Sequence, residues 1–411
     1  MRNLSNVLPL LLPLTLLALA GCPKKTATEP SLPKPVHDRP VLLLPAGLTA
    51  VPGIADAEQL AVGDEHACVI RAGGRVFCWG DNTEGALGLP EKKVYETPVE
   101  IPEAADAVEI AAGTSTTCVR KKSGVVYCWS GAQSPAVDEP LTLKRQEMPT
   151  LKGALHLGVG FLHVCGAFTD GTVRCARVPQ ERQYQSIYSL PEAFEGVPGV
   201  TSLRVGSHFL CARLAGGGVR CMGANWGGEI GNGGDGKQDE PVSPRAPTEL
   251  TPEQYEKSFM QCPGSGLPGC GGTLSGVVDL DVSSGNGCAA LADGSIACWG
   301  SFERGDVDHL GVGKLGFSRV PVKIGGFSDA TAVAAGTWHA CALVKDGQVA
   351  CVGDNSQGQL GDDTKTDSKT AKVIPQLSGM TQLGAGDTFT CALHGTGQVV
   401  CWGTWRIKYE E

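Results

Sequence analysis

Beyond residue 20, the apolar positions of this chain come in short runs that glycine and polar turn residues interrupt. In one example, Cys341-Ala-Leu-Val344 and Gln348-Val-Ala-Cys351 flank the polar segment Lys345-Asp346-Gly347. Two strands around a three-residue turn are expected here, because glycine accepts the left-handed conformation that follows a type I turn. No long apolar run follows Ala20, and the chain has 57 glycines and 6% aromatic residues. The pattern predicts an all-β protein of short strands.

The same hairpin recurs seven times, each time with two cysteines ten residues apart and a glycine six residues after the first. The cysteine pairs are Cys68 and Cys78, Cys118 and Cys128, Cys165 and Cys175, Cys211 and Cys221, Cys288 and Cys298, Cys341 and Cys351, and Cys391 and Cys401. The glycines are Gly74, Gly124, Gly171, Gly217, Gly294, Gly347 and Gly397. Successive first cysteines lie 46 to 53 residues apart, except for one gap of 77. A repeat of this length is typical of a propeller or a solenoid.

The register of the hairpin predicts that the two cysteines of each unit form a disulfide. Counting outward from the turn, Leu343 faces Val349 and Cys341 faces Cys351 on a non-hydrogen-bonded rung, where Cα atoms approach to roughly 4.5 Å. That separation is within the range of a disulfide. The alternative is that cysteine serves as a small apolar core residue. Fourteen of the 17 cysteines are in these pairs, and two more, Cys262 and Cys270, lie close together and are expected to pair as well.

The N-terminus has the features of an export signal. Arg2 precedes an apolar run, Val7 to Ala20, which is too short to span a bilayer comfortably. The following Leu19-Ala-Gly-Cys22 resembles the lipobox of bacterial lipoproteins, which implies cleavage before Cys22 and lipidation of that residue. The alternative is an ordinary secretory signal with a chance cysteine. We therefore expect a signal peptide over 1–21 and a lipidated, proline-rich tether over 22–38.

Export also fits the cysteine content, because disulfides persist in oxidising compartments outside the cytoplasm. Residue 23 is proline, so the aspartate that retains lipoproteins in the inner membrane of enterobacteria is missing. The expected location is the cell envelope, in the outer membrane or at the cell surface rather than in the inner membrane.

Two units carry additional motifs around the cysteines. The first unit has Leu60-Ala-Val-Gly63, His66-Ala-Cys68, Val76-Phe-Cys78-Trp-Gly-Asp-Asn82 and Gly85-Ala-Leu-Gly88; the sixth has Val333-Ala-Ala-Gly336, His339-Ala-Cys341, Gly353-Asp-Asn355 and Gly358-Gln-Leu-Gly361. These motifs resemble the repeat of the regulator of chromosome condensation family. The resemblance implies a seven-bladed β-propeller over residues 39–405, followed by a tail over 406–411. Units two, three and seven lose the glycine-rich second half.

The last unit lacks the extended segment that ends each complete unit, such as Thr97-Pro-Val-Glu-Ile101 after unit one. A candidate for the missing strand lies near the N-terminus, at Arg39-Pro-Val-Leu-Leu-Leu44. We predict that this segment pairs with blade seven and closes the ring, which protects edge strands that would otherwise be exposed.

The repeated polar and aromatic residues are explained best by structural roles. His66, His163, His339 and His208 stand just before the first cysteine of their units, where a repeated hydrogen bond is favoured over a ring of metal ligands. Trp79, Trp129, Trp299 and Trp402 follow the second cysteine and are expected to pack between blades. Gly80-Asp-Asn82 and Gly353-Asp-Asn355 lack the helix and lysine of a phosphate loop, so we interpret them as turns. The sequence gives no metal site, no cofactor site and no catalytic constellation.

The segment 232–276 is the largest insertion in the repeats. Thr251-Pro-Glu-Gln254 has the features of a helix start, and Cys262 and Cys270 would clip the loop that follows. A covalently fixed loop loses less entropy on binding a partner, so it is a candidate recognition element. A neutral decoration of one blade is the competing interpretation. The connections 129–150 and 176–200 are weaker candidates of the same kind.

The sequence therefore predicts a monomeric, lipid-anchored propeller that binds another protein of the envelope or cell surface and is not an enzyme. The resemblance implies protein–protein interaction, but not nucleotide exchange, because the inserted wedge that this activity requires has no match here. The formal net charge is −9 with no basic stripe, so nucleic-acid binding is not expected. The alternatives are a carbohydrate or cell-wall binding module, or a hydrolase or lyase at the channel mouth.

Overall fold

The segments around each cysteine pair form antiparallel strands, and the strands assemble into seven four-stranded sheets. A computed structural model describes residues 48–131, 143–161, 163–178, 190, 192–195, 197–234, 237–242, 244, 273–302, 308–310 and 316–404. Each sheet is one blade. In six of the sheets the chain runs through the four strands in spatial order, and in the remaining sheet the outer strand comes from the beginning of the described chain.

The first four blades take their strands in chain order. Blade one contains β2 (Ala57–Val62), β3 (His66–Arg71), β4 (Arg75–Asp81) and β5 (Val94–Glu100). Blade two contains β6 (Ala107–Ala112), β7 (Thr116–Lys121), β8 (Val126–Gly131) and β9 (Leu143–Glu147). Blade three contains β10 (His156–Val159), β11 (His163–Ala167), β12 (Val173–Arg177) and β13 (Ala193–Phe194). Blade four contains β14 (Val200–Val205), β15 (Phe209–Leu214), β16 (Val219–Gly223) and β17 (Gln238–Val242).

The last three blades complete the ring, and the final one takes its fourth strand from the beginning of the described chain. Blade five contains β18 (Val277–Val282), β19 (Asn286–Leu291), β20 (Ile296–Ser301) and β21 (Phe317–Lys323). Blade six contains β22 (Ala332–Ala335), β23 (His339–Leu343), β24 (Val349–Gly353) and β25 (Ser368–Ile374). Blade seven contains β26 (Met380–Ala385), β27 (Phe389–His394), β28 (Val399–Gly403) and β1 (Thr49–Ala50). Short 3₁₀ turns occur at Pro102–Ala104 and Pro149–Leu151.

The first strands of the blades lie side by side around a central channel. Each contacts the first strand of the next blade, and the circle is completed by contacts between β26 and β2. Between neighbouring blades, buried apolar side chains form clusters that combine residues of both sheets, such as Val69 and Trp79 with Phe389 and Leu393. The structure is the predicted all-β, seven-bladed propeller.

The cysteine register of the hairpins is confirmed in every blade. Cys341 is the direct partner of Cys351 between β23 and β24, and Leu343 is the partner of Val349. The Cα atoms of the seven pairs are 4.0 to 4.1 Å apart. The disulfides join Cys68 to Cys78, Cys118 to Cys128, Cys165 to Cys175, Cys211 to Cys221, Cys288 to Cys298, Cys341 to Cys351, and Cys391 to Cys401. The predicted bond between Cys262 and Cys270 lies outside the described residues, so it stays a prediction.

The turn between the paired strands has the predicted left-handed glycine in every unit, but in units one and six the residue before that glycine, Gly73 (φ 86°) or Asp346, is left-handed as well. All seven repeat glycines have a positive φ, and Gly347 has 67°. In the sixth unit Asp346 is also left-handed, with φ 58°, so the turn there is not a type I turn followed by glycine. The N–H of Gly379 in the next blade donates to the Asp346 carbonyl at 3.0 Å.

An N-terminal strand closes the ring, as predicted, but it lies further along the chain than expected. Thr49 pairs with Cys401 and Ala50 with Val400, and the N–H of Val51 donates to the Val399 carbonyl at 2.9 Å. The predicted segment Arg39–Leu44 lies outside the described residues. The two ends of the described chain, Leu48 and Thr404, are therefore both at the outer part of blade seven.

The antiparallel order gives the propeller two distinct ends. We call the end with the turns between first and second strands and the connections between third and fourth strands the loop face. The opposite end, with the cysteine hairpin turns, is the hairpin face. The insertion 232–276 is not one excursion, because β17 within it forms the outer strand of blade four. The remaining excursion starts at Pro244 and returns at Leu274 on the hairpin face, where the Leu274 N–H donates to the Pro244 carbonyl at 2.8 Å.

A belt of glycines lines the loop-face end of the channel. In six blades a glycine directly follows the first strand: Gly63, Gly113, Gly160, Gly206, Gly336 and Gly386. A Cβ atom at these positions would lie 2.0 to 2.7 Å from a backbone oxygen of the next blade. In these six blades the absence of a side chain permits the close approach to the next blade, whereas blade five has Ser283 at this position.

We expect Gly160→Ala to destabilise the propeller by about 1–3 kcal/mol, because overpacking of a closed ring cannot relax in one blade alone. Its Cβ would lie 2.0 Å from the Gly206 carbonyl oxygen. Gly218→Ala is the matched control, since its Cβ would meet nothing within 4 Å. Urea unfolding under non-reducing conditions measures both variants. Equal stability of the two would show that the glycine belt does not limit the approach of the blades.

Candidate functional site

A channel lies at the centre of the propeller. It has a volume of about 480 Å³ and is lined by the first strands of all seven blades. Polar side chains on these strands include Glu109, Arg204, Asp279, Asp281 and Gln382. Their arrangement decides whether the channel offers free chemical groups or a structural lining.

Most of these side chains bind the backbone of the neighbouring blade. The Leu60 N–H donates to Gln382 Oε1 at 2.9 Å, and Gln382 Nε2 donates to the Glu58 carbonyl at 2.8 Å, so blade seven is joined to blade one. The Leu157 N–H donates to Glu109 Oε1 at 3.0 Å. Since a first strand is the edge of its sheet, these side chains satisfy backbone donors that the sheet leaves open.

Blades four, five and six are joined in the same way. The Val333 N–H donates to Asp279 Oδ2 and the Ala335 N–H to Asp281 Oδ2, each at 3.0 Å. Arg204 Nε donates to the other oxygen of Asp281 at 3.0 Å. Burial raises the pKa of Asp281, and the charge of Arg204 opposes this shift. These carboxylates are already engaged, so they are not candidates for acid–base catalysis.

Two carboxylates at the loop-face end of the channel, which we call the mouth, differ from these in their interactions. Asp64 and Asp387 each follow a glycine of the belt, and the N–H of Asp387 donates to the Asp64 carbonyl at 2.9 Å. Burial and the charge of Asp387 raise the pKa of Asp64 to about 7, although hydroxyl groups of Thr114 and Ser284 hydrogen-bond to its side chain. The Thr337 hydroxyl donates to Asp387. The mouth thus holds a carboxylate pair that takes up a proton near neutral pH.

Sequence reasoning did not single out this pair. The signal that could have found it is the position directly after the first-strand glycine, which is occupied by Asp64, Thr114, Ser207, Thr337 and Asp387 in five of the blades. A hydrolase or lyase at the mouth would need histidines together with carboxylates of perturbed pKa. Only the carboxylates are brought together among the residues described at this mouth.

Of the repeated histidines, His66, His163 and His339 are buried inside their blades, whereas His208 is half-buried. Two of the buried ones form the predicted structural hydrogen bonds. His66 Nε2 is 2.8 Å from the Thr117 hydroxyl of blade two, and His339 Nε2 is 2.9 Å from the Thr390 hydroxyl of blade seven. Burial lowers the pKa of both, and that of His163, to about 4. They are therefore neutral at physiological pH, and His66 and His339 link one blade to the next.

The tryptophans and the Gly-Asp-Asn segments also have the predicted structural roles. Trp299 Nε1 donates to the Glu229 carbonyl and Trp402 Nε1 to the Gln359 carbonyl, each at 2.9 Å and each across a blade boundary. Asn82 and Asn355 organise the connecting loops, because their Oδ1 atoms accept the N–H groups of Leu87 and Leu360 at 2.9 and 3.0 Å.

One aromatic side chain on the loop face differs from these in its exposure. Trp226, in the connection between β16 and β17, is 45% exposed. The tryptophans between the blades, by contrast, are at most 3% exposed. A half-exposed tryptophan on a surface of loops is a typical contact residue for a partner.

Comparisons with known proteins agree with the repeat motifs. Residues 57–86, 330–359 and 380–404, and separately 73–120, match the regulator of chromosome condensation (RCC1) repeat. The chain thus contains repeats of this type, and they form a seven-bladed propeller.

Curated relatives and solved structures support the same assignment of the fold. E3 ubiquitin-protein ligase HERC2 of Homo sapiens and of Mus musculus is 32% identical over 106 residues, which cover 25% of this chain and 2% of those proteins. Yeast RCC1 (Prp20) bound to Kap60 is similar with a TM-score of 0.59 and 18% identity, over 85% of this chain and 80% of that one. Human WBSCR16 has a TM-score of 0.58 and 13% identity, over 86% and 87% of the two chains.

None of the helices in the part of the chain that the structure describes has the length and apolarity needed to cross a membrane.

We expect Asp64→Asn to make the protein more stable than the wild type at pH 8 and nearly equal to it at pH 4. The folded pKa of Asp64, about 7, lies above the ordinary aspartate value of 3.8. Its contribution to stability is therefore full below pH ~4 and is lost as the pH rises through ~7. The expected gain at pH 8 is about 1–2 kcal/mol, less than for a fully desolvated group, because Asp64 is partly exposed.

Urea unfolding between pH 4 and 8 measures this difference. Glu58→Gln is the matched control, since it removes a charge from the same blade at an exposed position. A pH profile of Asp64→Asn that stays parallel to that of the wild type would contradict the raised pKa.

Proposed function

We propose that this protein is a lipid-anchored scaffold of the cell envelope that binds another protein through its loop face. The observation that carries the proposal is the contrast between the buried and the exposed aromatic side chains of the propeller. Histidines, channel carboxylates and four buried tryptophans hold the ring together, whereas Trp226 is presented 45% exposed on the loop face. A rigid ring that displays irregular loops is suited to recognition, because little entropy is lost on binding.

Relatives with this fold are consistent with a binding role. Yeast RCC1 was solved in complex with Kap60, and the study of Prp20p describes binding to Gsp1p and histones. For this chain we propose protein binding of the same general kind, with an envelope or cell-surface protein as partner. We propose no nucleic-acid partner, no cofactor and no catalysis, and expect the protein to act as a monomer.

The proposed location depends on the N-terminal sequence. Leu19-Ala-Gly-Cys22 supports lipidation of Cys22, and seven disulfides support an oxidising compartment. The described chain enters the propeller at Leu48, beside β28 in blade seven. We place the protein in the outer membrane or at the cell surface rather than in the inner membrane.

Site-specific photo-crosslinking in the native envelope tests the binding face. A photoreactive residue replaces Trp226 or Lys365 on the loop face, or Lys122 or Lys345 in hairpin turns on the opposite face, all exposed positions. We expect one dominant protein adduct from the loop-face positions and several-fold less from the hairpin-face positions. Adducts from the hairpin-face positions only would place binding on that face and contradict the proposal. Retention of the protein on purified glycans without protein adducts would favour the carbohydrate-binding alternative.

We expect Cys22→Ser to abolish lipid attachment and to release the protein from the membrane fraction. Stable anchoring requires acyl chains, since the affinity for the bilayer comes from buried methylene groups. Incorporation of labelled fatty acid and fractionation of the envelope measure the two effects. Cys22→Ser that stays in the membrane pellet would contradict the lipid anchor.

A further inference from the structure

Three side chains capable of binding a metal meet on the loop face, between blades five and six. His309 lies in the connection between β20 and β21, and Asp354 and Asp367 lie in the connection between β24 and β25. One potential ligand atom from each residue lies within 4.8 Å of the other two. His309 Nδ1 and Asp367 Oδ2 are 3.0 Å apart. The cluster joins two segments that are far apart in sequence and belong to different blades.

The carboxylates of this cluster are held in place by their own loop. Asp354 Oδ1 accepts the Ser356 N–H at 2.9 Å, and Asp354 Oδ2 accepts the Ser356 hydroxyl at 3.2 Å. The Asn355 N–H donates to Asp367 Oδ1 at 2.9 Å, which leaves Oδ2 directed at His309. Partners of this kind orient ligands in metal sites, so the arrangement is preorganised.

Burial provides a second, independent observation. His309 is 7% exposed. Asp354 is 1% exposed. Asp367, the third residue of the cluster, is exposed. A buried carboxylate and an exposed one beside a buried imidazole form a site of excess negative charge, and such a site is stabilised by a bound cation.

The separations fit a single ion. Zinc ligands lie roughly 2.0–2.2 Å from the metal, so two ligand atoms of one ion are about 3–4 Å apart. The separation of 3.0 Å between His309 Nδ1 and Asp367 Oδ2 is compatible with this geometry after a shift of a few tenths of an ångström. The third ligand atom lies within 4.8 Å.

We infer that His309, Asp354 and Asp367 form a binding site for a divalent transition-metal ion of the zinc type, which links the loops of blades five and six. An imidazole ligand selects such an ion over Ca²⁺ and Mg²⁺, which prefer sites made only of oxygen atoms. Three protein ligands leave a coordination position for water or for a group of a bound partner. His66 and His339 are hydrogen-bonded to threonines inside the blades, so they cannot act as ligands of this site.

Calorimetric titration of the metal-free full-length protein with ZnCl₂ tests the inference. We expect one ion per chain in the wild type, with affinity reduced at least tenfold by His309→Ala and by Asp367→Asn. His394→Ala is the matched control, because His394 lies in the hairpin of blade seven, with Nδ1 2.7 Å from the Thr396 hydroxyl. The His394→Ala variant should bind zinc as tightly as the wild type does. CaCl₂ or MgCl₂ in tenfold excess over ZnCl₂ should not reduce zinc binding.

Thermal unfolding with EDTA or with ZnCl₂ separates a metal site from a simple His–Asp hydrogen bond. We expect zinc to raise the Tm of the wild type and of His394→Ala, but not of His309→Ala or Asp367→Asn. In Asp367→Asn the side-chain oxygen can still accept the Asn355 N–H, so the loop keeps this hydrogen bond. This variant therefore tests the loss of a metal ligand even if His309→Ala disturbs the loop. The inference is overturned if the wild type binds no zinc, or if both site variants bind it as tightly as the wild type.

Discussion

The propeller depends on satisfying the edge of each blade at the wall of the channel. The first strand of a sheet has backbone donors without a partner in that sheet, and burying them unpaired would cost about 1–3 kcal/mol each. Side chains such as Gln382, Asp279 and Glu109 reach from one blade to the next and accept those N–H groups. The polar side chains that line the channel are therefore the ones that join neighbouring blades.

The disulfides stabilise the blades, whereas the ring is held by non-covalent contacts. Each disulfide spans ten residues within one hairpin, so none of the seven links two blades. Contacts between blades come from glycines that permit close approach, from histidine–threonine hydrogen bonds and from tryptophans bonded to a neighbouring loop. A hairpin can thus be covalently fixed before the circle closes.

The sequence was sufficient to predict the strands and disulfides of the blades, but not the details of how the blades assemble. Alternation around a glycine turn determined the register of Cys341 and Cys351, because that register depends only on local geometry. The Asp64–Asp387 pair could not be predicted, since it arises only when the first and last blades meet. The closing strand is Thr49–Ala50, and a two-residue pairing leaves almost no pattern in the sequence. The role of β17 was hidden by the insertion that follows it.

The order of the disulfides has a consequence for biogenesis. Among the fourteen cysteines described by the structure, each pairs with its immediate neighbour in that series along the chain. In the export proposed above, a cysteine that emerges during translocation would meet its correct partner before the next pair emerges. A dithiol oxidase acting on consecutive thiols would then produce the native connectivity, without an isomerase to reshuffle wrong bonds.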